Sequence, residues 1–365
     1  MYIKFPRRDL KGFYKELTKR VNNHFRVNQI KKTGNYRLHL KTIVMISLLV
    51  VPYLLILALP IAYYTQLALC VVAGVGMAGI GMNVMHDGNH GSYSSKPWVN
   101  KLMGDTIYFL AGNSNNWKVQ HNFLHHTFTN IHGHDEDIEA NGILRFSKHQ
   151  VWKPFHRFQH VYFVFLYGLL TLRWAIASDF SQMHRYLRDH KNVAQTKSPY
   201  YLWTSLVISK ILYFLGWLLI PYLILDIPLW QILLGFFIMH YTAGLILSLV
   251  FQLAHVIEDT EMPLPESNSQ EMKNTWAIHQ LHTTANFSPK NWLLNWYVGG
   301  LNFQIEHHIF PHISHIHYQE IGKIIKKTAQ EFNLPYNEYK STRSALFSHF
   351  KFIKSMGMKP ATVTF

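Results

Sequence analysis

TIVMISLLVVPYLLILALPIAYYTQLALCVVAGVGMAGIGMNVMH, residues 42–86, runs for 45 positions without Asp, Glu, Lys or Arg. A bilayer core about 30 Å thick is crossed by roughly 20 helical residues, so this run is long enough to cross twice. Pro60 to Gln66 is the expected turn. The run ends on His86, and the next residues complete the string His86-Asp-Gly-Asn-His90.

A second apolar pair is expected at about 202–224 and 229–251, turning at Asp226–Pro228. Its one charge, Lys210, lies inside the third span, where its aliphatic stem is expected to snorkel toward the interface. Between the pairs, Val161 to Leu172 is apolar but too short to cross, so an interfacial or re-entrant position is expected. A fifth crossing would also put His255 across the bilayer from His86. The expected fold is an all-α integral membrane protein with four transmembrane helices in two hairpins (about 43–62, 66–85, 202–224 and 229–251). A cytosolic, histidine-rich helical cap is expected from residues 86–200 and 252–325.

The net charge of +15 invites a nucleic-acid reading, but its distribution argues against one. Residues 1–41 carry twelve Lys or Arg against two acids, while the two proposed outer turns carry none. That is the positive-inside pattern, with both termini cytoplasmic and no nucleic acid as partner. The same charge is compatible with an anionic headgroup, a coenzyme A phosphate or an acidic electron carrier. Within the basic segment 1–41, Leu10, Phe13, Leu17 and Val21 form a helical stripe that suits a helix on the membrane surface. A second amphipathic helix carries Ile321, Ile324, Ile325, Ala329 and Phe332 and ends at Asn333-Leu-Pro335, with residues 326–365 read as a cytosolic tail.

Cys70 is the single cysteine, so this chain builds no disulfide framework, zinc finger or iron–sulfur cluster. Gly74-Val-Gly76-Met-Ala-Gly79 matches a dinucleotide-loop pattern, yet it lies inside an apolar helix. Small residues there let neighbouring helices approach, and that packing role is expected.

Three stretches concentrate metal-binding capacity: His86-Asp-Gly-Asn-His90, His121-Asn-Phe-Leu-His125-His126 and Gln304-Ile-Glu-His307-His308. Imidazole is a good ligand for iron, zinc and copper. With His255 after the fourth span the set reaches eight imidazoles, too many for one tetrahedral ion and suited to two. On an α-helix, residues four apart share a face, so His86 with His90 and His121 with His125 are expected to converge. His126 would project about 100° further round, toward a second ion. The adjacent His307 and His308 diverge. Isolated histidines (His24, His39, His149, His156, His160, His184, His190 and His349) are read as solvated or hydrogen-bonded, and His240 as a packed polar residue. His312, His315 and His317 are expected beside the site or on the surface. Metal-bound imidazoles usually hand their second N–H to a carboxylate or carbonyl, and Asp87, Asp135, Asp137, Glu139, Glu258 and Glu306 are available.

These strings resemble the membrane-bound fatty acid desaturases from about residue 40 to about 325. The likeness extends to Gly133-His-Asp-Glu-Asp-Ile-Glu139 and to Gly299-Gly-Leu-Asn-Phe-Gln-Ile-Glu-His-His-Ile-Phe-Pro311. The resemblance implies a cytoplasmic di-iron centre, two Fe ions held by His86, His90, His121, His125, His126, His255, His307 and His308, beside a tunnel for an acyl chain. Zinc is able to replace iron in a purified sample. Gln304 stands where many members have histidine, as in front-end desaturases of the linoleoyl type; it is a weak ligand or a neighbour of one, as are Asp87 and His312. The string Gln280-Leu-His-Thr-Thr-Ala-Asn-Phe287 resembles a family segment near the active site. No fused haem motif His-Pro-Gly-Gly is present, so electrons are expected from a separate donor such as a ferredoxin or a b-type cytochrome.

The implied reaction is O2-dependent removal of two hydrogens from an unactivated methylene pair, giving a cis alkene and water. Such C–H bonds are beyond acid–base chemistry and require a metal–oxygen oxidant. The acyl group arrives on coenzyme A, a carrier protein or a lipid, and a bacterial cytoplasmic membrane is expected before an endoplasmic reticulum. A hydroxylase of the same superfamily is the nearest rival. A membrane zinc hydrolase is the rival from another class, although His-Glu-x-x-His is absent. A transporter would keep its ligands near mid-membrane.

Overall fold

The computed structural model describes residues 3–7, 9, 12–139, 142–189 and 197–360. Leu10 and His190 lie outside the described residues. The chain is mostly helical, with short parallel pairing of Asn286 and Phe287 to Glu338 and Tyr339 as its only named sheet among the described residues. It divides into two compact units: a span unit, Gly34–Val119 with Val164–Leu249, and a polar unit, Met1–Thr33 with Gln120–Phe163 and Val250–Phe365.

Among the described residues, four helices are long and apolar enough to cross a membrane: Tyr36–Ala58, Tyr63–Asn89, Pro199–Ile224 and Leu229–His255. Their number and order match the hydropathy pattern, but the first begins seven residues before the expected position 43. Asn35 explains the early start, because its side chain caps the helix by accepting the Arg37 N–H at 2.9 Å. The stretch expected at the interface, Val161 to Leu172, falls on a sharply bent pair, Pro154–Gly168 and Leu170–Arg188. That pair would count as a fifth candidate if its two halves formed one span.

Within the span unit the glycines do what the apolar context predicts. A Cβ at Gly76 would lie 2.5 Å from the Leu48 and Leu49 backbone of the first span, and one at Gly74 would lie 2.5 Å from the Met239 carbonyl of the fourth. Backbones touch there, leaving no room for a phosphate. His240 is a packed polar residue: the Tyr213 hydroxyl is 2.7 Å from its Nε2 and Thr171 Oγ1 is 2.9 Å from its Nδ1. Lys210 does not snorkel. Its ammonium is buried and donates to the Ala111 and Trp174 carbonyls and to Asp179, the last at 2.6 Å. An internal carboxylate and two carbonyls replace the water the lysine would otherwise have to reach.

The polar unit has its own core. Phe13, Leu17, Val21 and Phe25 of the helix Phe13–Val27 are buried among Ile278, Leu281, Ile305, Ile309, Ile321 and Ile325. Each such burial stabilises by roughly 1.5–3 kcal/mol. The stripe expected to lie on the membrane is therefore used inside the protein. The helix Tyr318–Glu331 appears as its apolar spacing predicts, so an expected boundary at 325 falls inside it. Residues read as a tail instead form a packed helix, Thr342–Gly357, whose buried His349 meets the Val256 carbonyl at 2.6 Å.

Candidate metal centre

One histidine stretch and the separate His255 lie at the ends of span helices. His86 falls in the last turns of Tyr63–Asn89, just after an i→i+5 (π) turn over Ile80–Met85, and His255 is the final residue of Leu229–His255. In the span unit the His86 and His90 rings stand 4.6 Å apart between centroids, and Trp117 sets its edge against both at 5.6 and 5.5 Å. The intervening Gly88 permits this turn, since a Cβ there would lie 2.4 Å from the Gly104 nitrogen. Asp87 is buried in the same unit, where its charge acts on Lys41 and Tyr93.

The polar unit brings the other six histidines together. His121 to His126 lie on a π turn, Lys118–His125, and its continuation. An i→i+5 turn has more than four residues per turn, so side chains five apart come onto the same side as those four apart. His121 Nε2 and His126 Nε2 accordingly stand 3.3 Å apart, closer than a further 100° of rotation on an α-helix would leave them. His125, stacked beside His121 at 5.2 Å, turns its Nε2 toward His308 Nε2 at 3.2 Å. His126 Nε2 is also 2.9 Å from His307 Nε2. The third stretch is delivered by two consecutive left-handed glycines, Gly299 (φ 62°) and Gly300 (φ 65°), which turn the chain into the short helix Gln304–Ile309. His307 and His308 then face different neighbours, their rings 83° apart. His255 packs edge-on against His125 and His308, with centroids 4.7 and 4.8 Å away.

The outer nitrogens of these rings are tied. His125 Nδ1 donates to both oxygens of Asp135, at 3.0 and 3.1 Å. His308 Nδ1 donates to the Gln280 amide oxygen at 2.9 Å, His307 Nδ1 meets the Tyr318 hydroxyl at 3.1 Å, and His255 Nδ1 donates to the Thr283 carbonyl at 3.3 Å. With Nδ1 so held, Nε2 is the atom each ring would offer to a metal ion. Asp137 lies behind His121, its carboxylate 3.8 Å from Nδ1. Asp135 was one of several acids in the sequence with nothing to rank it. Gln280 was visible only as part of a family-like string, and Tyr318 gave no signal at all. Gln304 is buried beside His255, whereas His312 is exposed and packs on Phe310 outside the cluster.

The fatty acid desaturase family profile matches residues 62–340. The chain belongs to the fatty acid desaturase family. It is 36% identical over 357 residues to an sn-1 linoleoyl-lipid 6-desaturase of Arthrospira platensis, covering 96% of this chain and 94% of that one. A Synechocystis sp. protein of the same description is 35% identical, covering 97% and 98%. An acyl-lipid (8-3)-desaturase of Physcomitrium patens is 32% identical, covering 95% and 72%. The protein is thus a membrane oxidoreductase, an acyl desaturase.

The desaturase's donor set fits metal ions. Two nitrogen ligands about 2.1 Å from one ion are roughly 3.0–3.4 Å apart. The Nε2 pairs here are 2.9, 3.2 and 3.3 Å apart. His255 Nε2 and Gln304 Oε1 are buried without a hydrogen-bond partner among the described residues, as inward-facing ligand atoms should be. Burial, followed by the neighbouring imidazoles, pushes His308 well below the ordinary imidazole range, so it is neutral and ready to ligate. Burial also opposes charge on His125, but Asp135 and Asp137 outweigh it and hold that ring above its usual value. Burial, with Asp135 nearby, raises the Asp137 carboxyl to about 7.

Proposed function

We propose that the desaturase holds two iron ions and uses O2 to insert a cis double bond into a lipid-linked linoleoyl chain at position 6. The proposed ligands are His86, His90, His121, His125, His126, His255, His307 and His308, with Gln304 as a weak ligand or a hydrogen-bond partner of one. The observation that carries the metal assignment is the convergence of tied imidazoles in the polar unit, with Nδ1 bonded outward and Nε2 turned inward. Position and carrier rest on the two relatives matched over nearly their full lengths. Asp87 and His312 are proposed to act at most indirectly.

Bound iron would supply the dioxygen-derived oxidising power that an unactivated methylene requires. The chain's own residues do the holding. Asp135 and Gln280 fix two imidazoles from behind and Tyr318 a third, and the burial of these rings keeps water from a reactive centre. No side chain serves as general base. We further propose two transmembrane hairpins in a bacterial cytoplasmic membrane, with both termini, residues 86–200 and residues 252–325 on the cytoplasmic side, as the basic segment 1–41 favours. Electrons come from a separate ferredoxin or b-type cytochrome.

The test is lipid profiling of a host that supplies linoleoyl lipids and expresses the chain. A triene with its new bond at position 6, two hydrogens lighter than the substrate, is expected. A product heavier by one oxygen would assign a hydroxylase, and a bond on the methyl side of the existing pair would remove the front-end assignment.

A further inference from the structure

The basic face of the helix Phe13–Val27, with Tyr14 and Trp276 at its edge, has no part in the chemistry so far described. We propose that it is the docking surface for an acidic one-electron carrier protein and that Trp276 is the point of electron entry; this rests on the external-donor reading above.

Trp276 donates its indole N–H to the backbone carbonyl of His126 at 2.9 Å. It is therefore one hydrogen bond from a proposed metal ligand, yet it is only partly buried. Tyr14 sets its ring edge-on to Trp276 at 5.9 Å and is exposed. The two rings make a short path from the protein surface to the histidine cluster, all within one unit.

The outward face of this helix is basic, while the Asp9 carboxylate accepts the Tyr14 backbone N–H at 2.7 Å. Relative to Tyr14, Lys15, Arg26 and Lys19 project at about 100°, 120° and 140° round the helix, a single outward arc. All three are exposed. The acid on this helix, Glu16, is engaged by Arg20 at 2.7 Å and also lies 3.9 Å from the Lys19 ammonium. Arg20 in turn pairs with Glu331 at 2.6 Å. Lys32, near the Phe25 ring, adds a further cation.

A lipid surface is the competing occupant. Membrane-surface helices bind by burying an apolar face among acyl chains. Here Phe13, Leu17, Val21 and Phe25 are already buried in the protein core, which leaves the helix nothing to insert. What remains is an exposed cationic arc on the helix that carries Tyr14, a charge that steers an acidic protein partner. Reducing one O2 to two waters while taking two hydrogens from a –CH2–CH2– pair requires two further electrons and two protons. Two successive dockings of a one-electron carrier deliver those electrons.

The experiment measures binding of the full-length desaturase, in nanodiscs of neutral lipid, to two acidic probes: a plant-type [2Fe–2S] ferredoxin and a soluble b-type cytochrome. Wild type is expected to bind at least one of them, with an affinity that falls as salt rises. The K15E/K19E double variant is expected to bind it about tenfold more weakly at low salt, the gap closing at high salt. Trp276→Leu is expected to slow electron transfer from the prereduced carrier at saturation. If neither probe binds, or both bind variant and wild type alike, the surface is not a docking site. If the double variant instead loses only its adsorption to phosphatidylglycerol vesicles, the surface belongs to lipid and the proposal falls. A wild type that binds carrier but makes no unsaturated lipid faults the functional assignment, not this surface. A Trp276→Leu transfer rate equal to wild type overturns the entry route.

Discussion

Replacing Asp135 by asparagine perturbs the centre at its most heavily bonded acid while changing almost no volume. The carboxylate is fully buried. Its Oδ1 accepts from His125 Nδ1 at 3.1 Å and from the Asp137 backbone N–H at 3.0 Å; its Oδ2 accepts from His125 Nδ1 at 3.0 Å and from the Asn130 backbone N–H at 2.8 Å. An asparagine keeps one acceptor oxygen and turns an NH2 toward a donor, leaving one buried N–H unpaired at a cost of about 1–3 kcal/mol. The surviving bond to His125 loses its charge assistance and about half its strength. The expected destabilisation of metal-free protein is about 2–4 kcal/mol, and loss of an orienting carboxylate lowers metal affinity or turnover roughly 10–100-fold. Thermal unfolding in detergent after chelation, iron per chain by elemental analysis and lipid turnover in cells measure the three quantities. Wild-type iron content together with wild-type turnover in Asp135→Asn would show that His125 needs no orienting carboxylate, and the ligand assignment would lose its best support.

Gln280→Leu is expected to cut iron affinity by about 10–100-fold, because His308 Nδ1 loses its acceptor; Gln280→Glu, which keeps one, should retain more iron, and equal iron in both variants argues against the role. Gly76→Leu would drive a side chain into the Leu48–Leu49 backbone 2.5 Å away, at a cost of about 1–3 kcal/mol or more, visible as a fall in the yield of folded protein. Burial lowers His349 to about 4, below the unfolded value near 6.5. The unfolded chain takes up this proton first, so the stabilisation is full above pH about 6.5 and is lost as pH falls toward 4. Metal-free His349→Gln protein should show a shallower loss of stability over that window, and an unchanged slope would remove His349 as a contributor.

Much of this was legible in the sequence because it was written in long runs. Forty-five consecutive uncharged residues give two candidate spans whatever the packing, and histidines at close spacing give candidate ligands whatever their rotamers. What escaped depends on local backbone register or on distant partners. The pairing of His121 with His126 requires a π turn, and nothing in Lys118 to His125 distinguishes it from an α-helix by composition. Lys210 reads as a snorkelling residue until Asp179 and two carbonyls are found around it. The stripe Phe13, Leu17, Val21 has the same spacing whether it meets lipid or protein; only the burial of its partners Ile321 and Ile325 decides between them. The orienting groups were hardest of all, since a glutamine at 280 or a tyrosine at 318 is unremarkable before His308 and His307 are seen against them.

The most direct test is 57Fe Mössbauer spectroscopy with elemental analysis on desaturase purified without air, for wild type and for His308→Ala. Two irons per chain with the signature of a coupled pair are expected in wild type, with His308→Ala losing both the coupling and turnover. An active wild-type enzyme carrying a single uncoupled iron, or a His308→Ala variant that keeps the coupled pair, would show that these histidines do not hold a two-iron centre.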